Sequence, residues 1–221
     1  MTAMRMALLL CFLLLATPQV MSAGEMERRS RIELRMGLRN HGGTTGAAST
    51  VGPLGVETTA GADNVFFSLG YSRWMRENVA GHATIGVLSV EASSRAGPLG
   101  VSQNAAVICP MIVGMRYYPG KLSIDTAFRP FLTAGIGLIT GIQSRSDVGF
   151  QVVQESGAMT TFGSKAGMGF DLVMGGSFVA IADLGYNLMT DFSDEIGGRR
   201  NYSGLEFGLG IGWQFGGSAA Q

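Results

Sequence analysis

The chain has 221 residues, a length that suits one domain. Hydrophobic residues make up 46% and charged residues only 14%, below the about 25% charged share of a soluble domain, and the 34 glycines follow no collagen-like period. The formal net charge is zero, so no electrostatic footprint for nucleic acid exists, and none is expected as a partner.

The chain begins with the pattern of a secretion signal. Arg5 supplies a positive end, Met6 to Ala16 an apolar core too short to span a bilayer as a helix, Pro18 a break, and Ser22 and Ala23 the small residues of a cleavage site. A cleaved signal over residues 1–23 and a short periplasmic lead over 24–30 are therefore expected, against the alternative of an uncleaved anchor. Cys11 follows Leu10 rather than the small residue of a lipoprotein box, so lipidation is not expected. Signal removal leaves Cys109 alone, without a disulfide partner or a cysteine zinc site. His41 and His82 are far apart and lack metal-ligand spacing, and no metal or other cofactor is expected. No other stretch approaches the roughly 18 apolar residues of a membrane helix.

From residue 31 onward the dominant period is two, the mark of strands with two unlike faces. In the first, Ile32, Leu34, Met36 and Leu38 oppose Glu33, Arg35, Gly37 and Arg39. In the second, Val65, Phe67, Leu69 and Tyr71 oppose Phe66, Ser68, Gly70 and Ser72; Phe66 is a large apolar residue on the other side. A short third strand sets Ala83, Ile85 and Val87 against His82, Thr84 and Gly86. The fourth runs from Val107 to Tyr118, with Ile108, Pro110, Ile112, Gly114, Arg116 and Tyr118 on the second face. The fifth opposes Leu132, Ala134, Ile136 and Leu138 to Phe131, Thr133, Gly135 and Gly137. The sixth opposes Phe162, Ala166, Met168 and Phe170 to Gly163, Lys165, Gly167, Gly169 and Asp171. The seventh runs from Phe178 to Leu188, with Val179, Ile181, Asp183, Gly185 and Asn187 on its second face. The eighth, Leu205 to Phe215, is the clearest: six large apolar residues alternate with Glu206, Gly208, Gly210, Gly212 and Gln214. The gaps alternate long (40–64, 91–105, 141–160, 189–204) and short (76–81, 120–129, 172–177), as outer loops and periplasmic turns do in membrane barrels.

A soluble barrel alternates too, with its apolar face inward. The second face decides: it is rich in glycine. On a water-facing strand glycine sacrifices packing without return, whereas inside a narrow barrel it makes room for large neighbours. An all-β transmembrane antiparallel up-and-down barrel of eight strands, residues 31–215, with a polar tail over 216–221, is therefore expected, its apolar face against lipid. The inward charges are then Arg35, Arg39, Arg116 and Lys165 against Glu33, Asp171, Asp183 and Glu206. Buried charges must be paired, and the balanced signs predict a cross-linked polar plug. Trp74, Tyr117, Tyr118, Trp213 and Phe215 cluster at strand ends on the periplasmic side, where an interfacial aromatic girdle is expected.

Three segments carry a family resemblance: Val113-Gly114-Met115-Arg116-Tyr117-Tyr118-Pro119; Arg129-Pro130-Phe131-Leu132-Thr133-Ala134-Gly135-Ile136-Gly137; and the closing strand, Ser203 to Phe215. Together they resemble the small OmpA/OmpX-type outer-membrane barrels and the outer-membrane β-barrel domain family, over about residues 31–215. The resemblance implies the bacterial outer membrane as location, with its lipid, its lipopolysaccharide and the barrel-insertion machinery as partners. Such barrels often end on the aromatic residue that this machinery reads; here Gly216 to Gln221 follow Phe215.

No catalytic residue is expected. Gly135-Ile136-Gly137 and Gly208-Leu209-Gly210-Ile211-Gly212 sit inside period-two strands with no helix to follow, so they are not phosphate loops. The expected role is non-enzymatic: envelope structure, adhesion or binding of an unidentified surface ligand through the four outer loops. A narrow porin-like channel is the alternative. A lipid A-modifying enzyme is the third reading; His82 with Thr84, and Ser89 and Glu91 further along, are the nearest approach to its serine–histidine–carboxylate chemistry. The pentapeptide Gly-Pro-Leu-Gly-Val recurs at 52–56 and 97–101, both in expected outer loops. Turn chemistry accounts for it, with a paired recognition surface as the sharper alternative.

Overall fold

A computed structural model describes residues 29–40, 47–52, 55–60, 64–76, 78–97, 100–119, 127–148, 152–174 and 177–216. The expected signal and the His41 position lie outside the described residues, as does the lead except for Arg29 and Ser30, and the tail except for Gly216. Ten strands are described: β1 (Ser30–Asn40), β2 (Ala47–Gly52), β3 (Gly55–Ala60), β4 (Val65–Arg76), β5 (Val79–Gly97), β6 (Gly100–Tyr117), β7 (Phe128–Val148), β8 (Val152–Met174), β9 (Phe178–Met189) and β10 (Gly204–Phe215). No described helix is long and apolar enough to cross a membrane, which says nothing of a barrel.

Eight of these strands close on themselves. β1 pairs antiparallel with both β10 and β4, and the ring continues through β5, β6, β7, β8 and β9 back to β10. Closure leaves no unpaired edge within the barrel, the condition for strands to stand in hydrocarbon. The strands form because β-branched, aromatic and long apolar side chains alternate with small or charged ones, and a closed pleat puts the two sets on opposite sides. Along β1 the burial alternates strictly from Arg31 to Met36. The apolar set faces outward: Leu38, Ile136, Phe162, Ile211 and Trp213 are each more than half exposed, reaching 66% at Phe162. Seven of the eight strands read from the sequence lie inside an observed one, and the fourth overruns β6 by one residue, Tyr118.

Two features depart from the expected loops. The first long loop contains the β2–β3 hairpin, and β3 pairs with the upper part of β5. The second and third are not loops over most of their length: β5–β6 and β7–β8 continue as paired strands to residues 97 and 100 and to residues 148 and 152. An antiparallel pair satisfies its own backbone groups as it extends, so it needs no apolar face to persist. Residues 91–105 are largely small or polar on both parities, and the apolar residues of 141–160 are too irregularly spaced to mark a period. β1, β4, β9 and β10 have 11 or 12 residues, and β5 to β8 have 18 to 23. About 9–11 residues suffice to cross a bilayer as tilted strands. The barrel therefore has a terminal end, where β1 begins at Ser30 and β10 ends at Phe215, and a hairpin end, where four long strands and the β2–β3 hairpin make a sheet beyond it.

Candidate functional site: the barrel interior

Glycine creates the room in which the interior is built. An added Cβ at Gly70 would stand 2.6 Å from Glu33, at Gly208 2.6 Å from Asp183 Oδ1, at Gly210 2.5 Å from Arg35 Cγ and at Gly212 2.8 Å from Arg31 Cδ. Each charged side chain thus lies across a neighbouring strand where no side chain stands. Small residues on one strand let long ones on the next turn along the axis and meet.

They meet in one connected ladder. Near the terminal end, Arg31 donates to Asp171 at 2.5 Å, and the Tyr118 hydroxyl donates to the same carboxylate at 2.9 Å. Arg31 also lies 3.2 Å from Glu33. Arg116 grips Glu33 with two parallel bonds of 2.8 Å, the fork geometry that favours arginine over lysine. Arg35 bridges upward, 3.8 Å from Glu33 and 3.3 Å from Asp183. Lys165 joins Asp183, at 3.4 Å, to Glu206, with which it makes a short ion pair. Arg39 closes the upper end on Glu206 at 2.5 Å, and the Asn187 amide donates to the same carboxylate at 2.9 Å. Every ion-paired side chain of this ladder is at most 9% exposed.

Apolar layers close both ends of the ladder. At the terminal end Trp74, Ala80, Tyr118, Phe131, Val179 and Ile181 pack together. Trp74 stacks on Tyr118 at 5.8 Å, and the Arg31 and Arg116 guanidiniums lie 5.2 Å and 4.7 Å from the Trp74 and Phe131 ring centres, within cation–π range. At the hairpin end Phe66, Leu88, Ala106, Ile108, Ile139 and Met189 on the strands meet Phe192, Ile196 and Tyr202 of the β9–β10 connection. Between the layers a cavity of about 20 Å³ lies beside Arg35, Ser68, Thr84, Lys165 and Glu206, room for about one water.

Glu33, Arg35, Arg39, Arg116, Lys165, Asp171, Asp183 and Glu206 are thus all inside the barrel, and the structure brings them into one chain of contacts. Arg31 belongs to the same chain; it stands one residue before the apolar alternation begins at Ile32, and its parity with Glu33 is its mark in the sequence. Arg129 is also buried, directly across the β7–β8 register from Asp171. The aromatic girdle needs correcting. Tyr117, Trp213 and Phe215 are on the outer face at the terminal end, at 45%, 56% and 39% exposure. Trp74 and Tyr118 are not: at 1% and 0% they fill the interior. They share parity with Ser72 and Arg116, and strand parity decides the face whatever the side chain's affinity for an interface. His82 faces inward and is buried, and its Nδ1 has no hydrogen-bond partner among the described residues. The side chains of Ser89 and Glu91 lie outside the described ones. Cys109 is a half-buried free thiol on the outer parity of β6. Within both Gly-Pro-Leu-Gly-Val segments the two glycines pair across their hairpin, Gly52 with Gly55 and Gly97 with Gly100.

A closed antiparallel barrel that buries its charge and turns its hydrocarbon outward is a transmembrane β-barrel, the architecture of outer-membrane proteins. No family model matches the chain, and no curated protein matches it by sequence. Solved outer-membrane barrels do match. Ail, the attachment invasion locus protein of Yersinia pestis, is 17% identical over 86% of this chain and 100% of its own, with a TM-score of 0.48. The N-terminal β-barrel domain of Pseudomonas aeruginosa OprF is 14% identical over 85% and 97%, with a TM-score of 0.44. The Escherichia coli outer membrane protein W is 18% identical over 89% and 100%, with a TM-score of 0.39.

Proposed function

We propose that this chain is a non-enzymatic outer-membrane barrel with a shut interior, which acts through the sheet at its hairpin end by binding a surface ligand. The observation that carries the reading is the length of β5 to β8. They run roughly twice as far as the strands needed to cross, and the surplus is spent on one continuous sheet, β2-β3-β5-β6-β7-β8, on the side away from the termini. A rigid scaffold that carries an extended exposed surface is the common layout of recognition proteins. Val56 pairs with Ala96, so the two Gly-Pro-Leu-Gly-Val turns belong to neighbouring hairpins of that sheet, which favours a joint surface over two unrelated turns. The terminal end faces the periplasm on this reading, and lipid and lipopolysaccharide surround the outward apolar face.

The filled interior argues against the channel. A ladder of paired charges sealed by two apolar layers offers ions no continuous aqueous path. The purified barrel is expected to give no conductance steps in planar bilayers; regular steps would restore the channel reading.

The binding role is tested by shortening both long hairpins to the height of β1, joining residues 90 and 106 and residues 142 and 158 by two-residue turns. Cells carrying the shortened form should keep a heat-modifiable barrel on gels but lose their adhesion to glycan- and matrix-coated surfaces. Equal adhesion by the full and shortened forms would remove the hairpins from the account.

A further inference from the structure

The β9–β10 connection differs from the other hairpin-end segments: it folds back into the barrel mouth. The connection is bonded across itself. The Phe192 amide donates to the Arg200 carbonyl at 2.8 Å, the Ile196 amide to the Arg199 carbonyl at 2.8 Å, and the Tyr202 hydroxyl to the Ile196 carbonyl. Gly197 and Gly198, at φ of 55° and 76°, make the reversal, a backbone region that favours glycine. Asn201 ties the two arms, donating to the Asp191 carboxylate at 2.7 Å and to the Met189 carbonyl at 3.0 Å. This is a small preformed hairpin. Its polar side chains Asp191, Ser193, Asp194, Glu195 and Arg200 are exposed, while Phe192, Ile196 and Tyr202 are buried in the outer apolar layer.

Its hydrogen bonds to the barrel gather mainly at its two feet, residues 190–191 and 201–203. At its base the Thr190 amide donates to Phe162 and the Thr190 and Thr161 hydroxyls meet at 2.5 Å. Beyond the feet, the Ser193 hydroxyl meets Met159 Sδ at 3.4 Å and the apolar side chains pack into the layer. The terminal layer is built otherwise. Trp74, Ala80, Phe131, Val179 and Ile181 stand on barrel strands bonded on both sides, and the Tyr118 amide is held by the Asn78 carbonyl at 2.8 Å. None can withdraw without parting the barrel wall.

We infer that residues 190–203 are a lid over a blind interior: it lifts as a unit about its base, opening the polar ladder from the hairpin end while the terminal layer stays shut. Lifting parts the Ser193–Met159 contact and withdraws buried apolar side chains while the strands stay paired, which places it among local openings rather than global ones. The lifted state exposes Arg39, Lys165, Glu206 and Asn187 beneath a cup of Phe66, Leu88, Ile108 and Ile139, and conducts nothing. The inference does not depend on what the hairpin sheet binds.

Thiol labelling of the folded protein in detergent tests it, in a form with Cys11 and Cys109 replaced by Ala and with Ser68→Cys. Ser68 is buried, lies level with Arg35 below Phe66, and takes no part in the ladder. A charged methanethiosulfonate reagent should label this thiol slowly. Adding Phe192→Gly and Ile196→Gly removes two buried apolar side chains and should raise the rate about 100-fold or more. Gly141→Val is a second route with the lid sequence intact, since a Cβ there stands 3.0 Å from Ile196 and 3.1 Å from Phe192; it should raise the rate in the same direction. Both forms should remain silent in planar bilayers. Unchanged labelling in either variant that keeps the gel shift, or fast labelling of the parent, would show that the segment is no lid. Conductance from a lid variant would show that the terminal layer is not a seal.

Discussion

Glu33→Ala should lower unfolding stability by about 3–5 kcal/mol, because it leaves buried cations without their counter-charge. The Glu33 carboxylate faces three guanidiniums, those of Arg116, Arg31 and Arg35. Arg31 keeps Asp171 and Arg35 keeps Asp183 when it is removed, but among the described residues Arg116 has no second carboxylate. The cost therefore falls mainly on Arg116, which is 1% exposed and cannot reach water. The double variant Glu33→Met, Arg116→Met should recover most of the loss, since removing both charges leaves nothing unpaired and buried pairs often give little net stability over apolar replacements. Urea unfolding in detergent, followed by tryptophan fluorescence, reads both. A single variant no weaker than the double would mean that water reaches Arg116 and that the interior is open there.

Gly137→Ala should be the most damaging small substitution in the barrel. Gly137 stands opposite Ile112 in the β6–β7 ladder, and an added Cβ would overlap the Met111 carbonyl oxygen and approach the Ile112 Cα at 2.9 Å. Those are backbone atoms, which no rotamer change can move aside. Overpacking against side chains costs about 1–3 kcal/mol, and a clash with backbone lies at or beyond the top of that range. Loss of the SDS-resistant band before boiling is the expected result. Gly157→Ala is the control: its added Cβ meets nothing within 4 Å, so it should change stability by no more than about 0.5 kcal/mol. Equal behaviour of the two would mean that the strands do not approach each other as closely as described.

The barrel was legible because lipid on one side and a packed interior on the other impose a strict period of two. Leu205 to Phe215 shows it without interruption. The signs of the interior charges were legible for the same reason, but their partners were not. Glu33 meets Arg116 from 83 positions away, and only closure of the ring brings them together. Trp74 and Tyr118 were misplaced because residue type was allowed to outweigh parity. The apolar layers were also present in the pattern, since Phe66, Ile108, Ile112, Phe131, Val179 and Ile181 all fall on the inward parity. Glycine and charge drew attention away from them. The lid left almost no sign: Phe192, Ile196 and Tyr202 are scattered among Asp, Ser and Gly, and side chains brought together by a turn need no period. The upper hairpins were hidden for a different reason, since strands polar on both faces resemble loops in composition.

The apolar face of the barrel is its outside, and the two tryptophans of the chain lie on opposite sides of that wall. Trp213 is 56% exposed on the outer face and Trp74 is 1% exposed within. With Trp74→Phe isolating the first and Trp213→Phe the second, fluorescence is measured in bilayers whose acyl chains carry bromine. The emission of Trp213 should be quenched strongly by the brominated chains and weakly by aqueous acrylamide, with Trp74 far less sensitive to either. Trp213 untouched by brominated chains, in a protein that stays in solution without detergent, would mean that the wall is reversed and that the interior described above is the exterior.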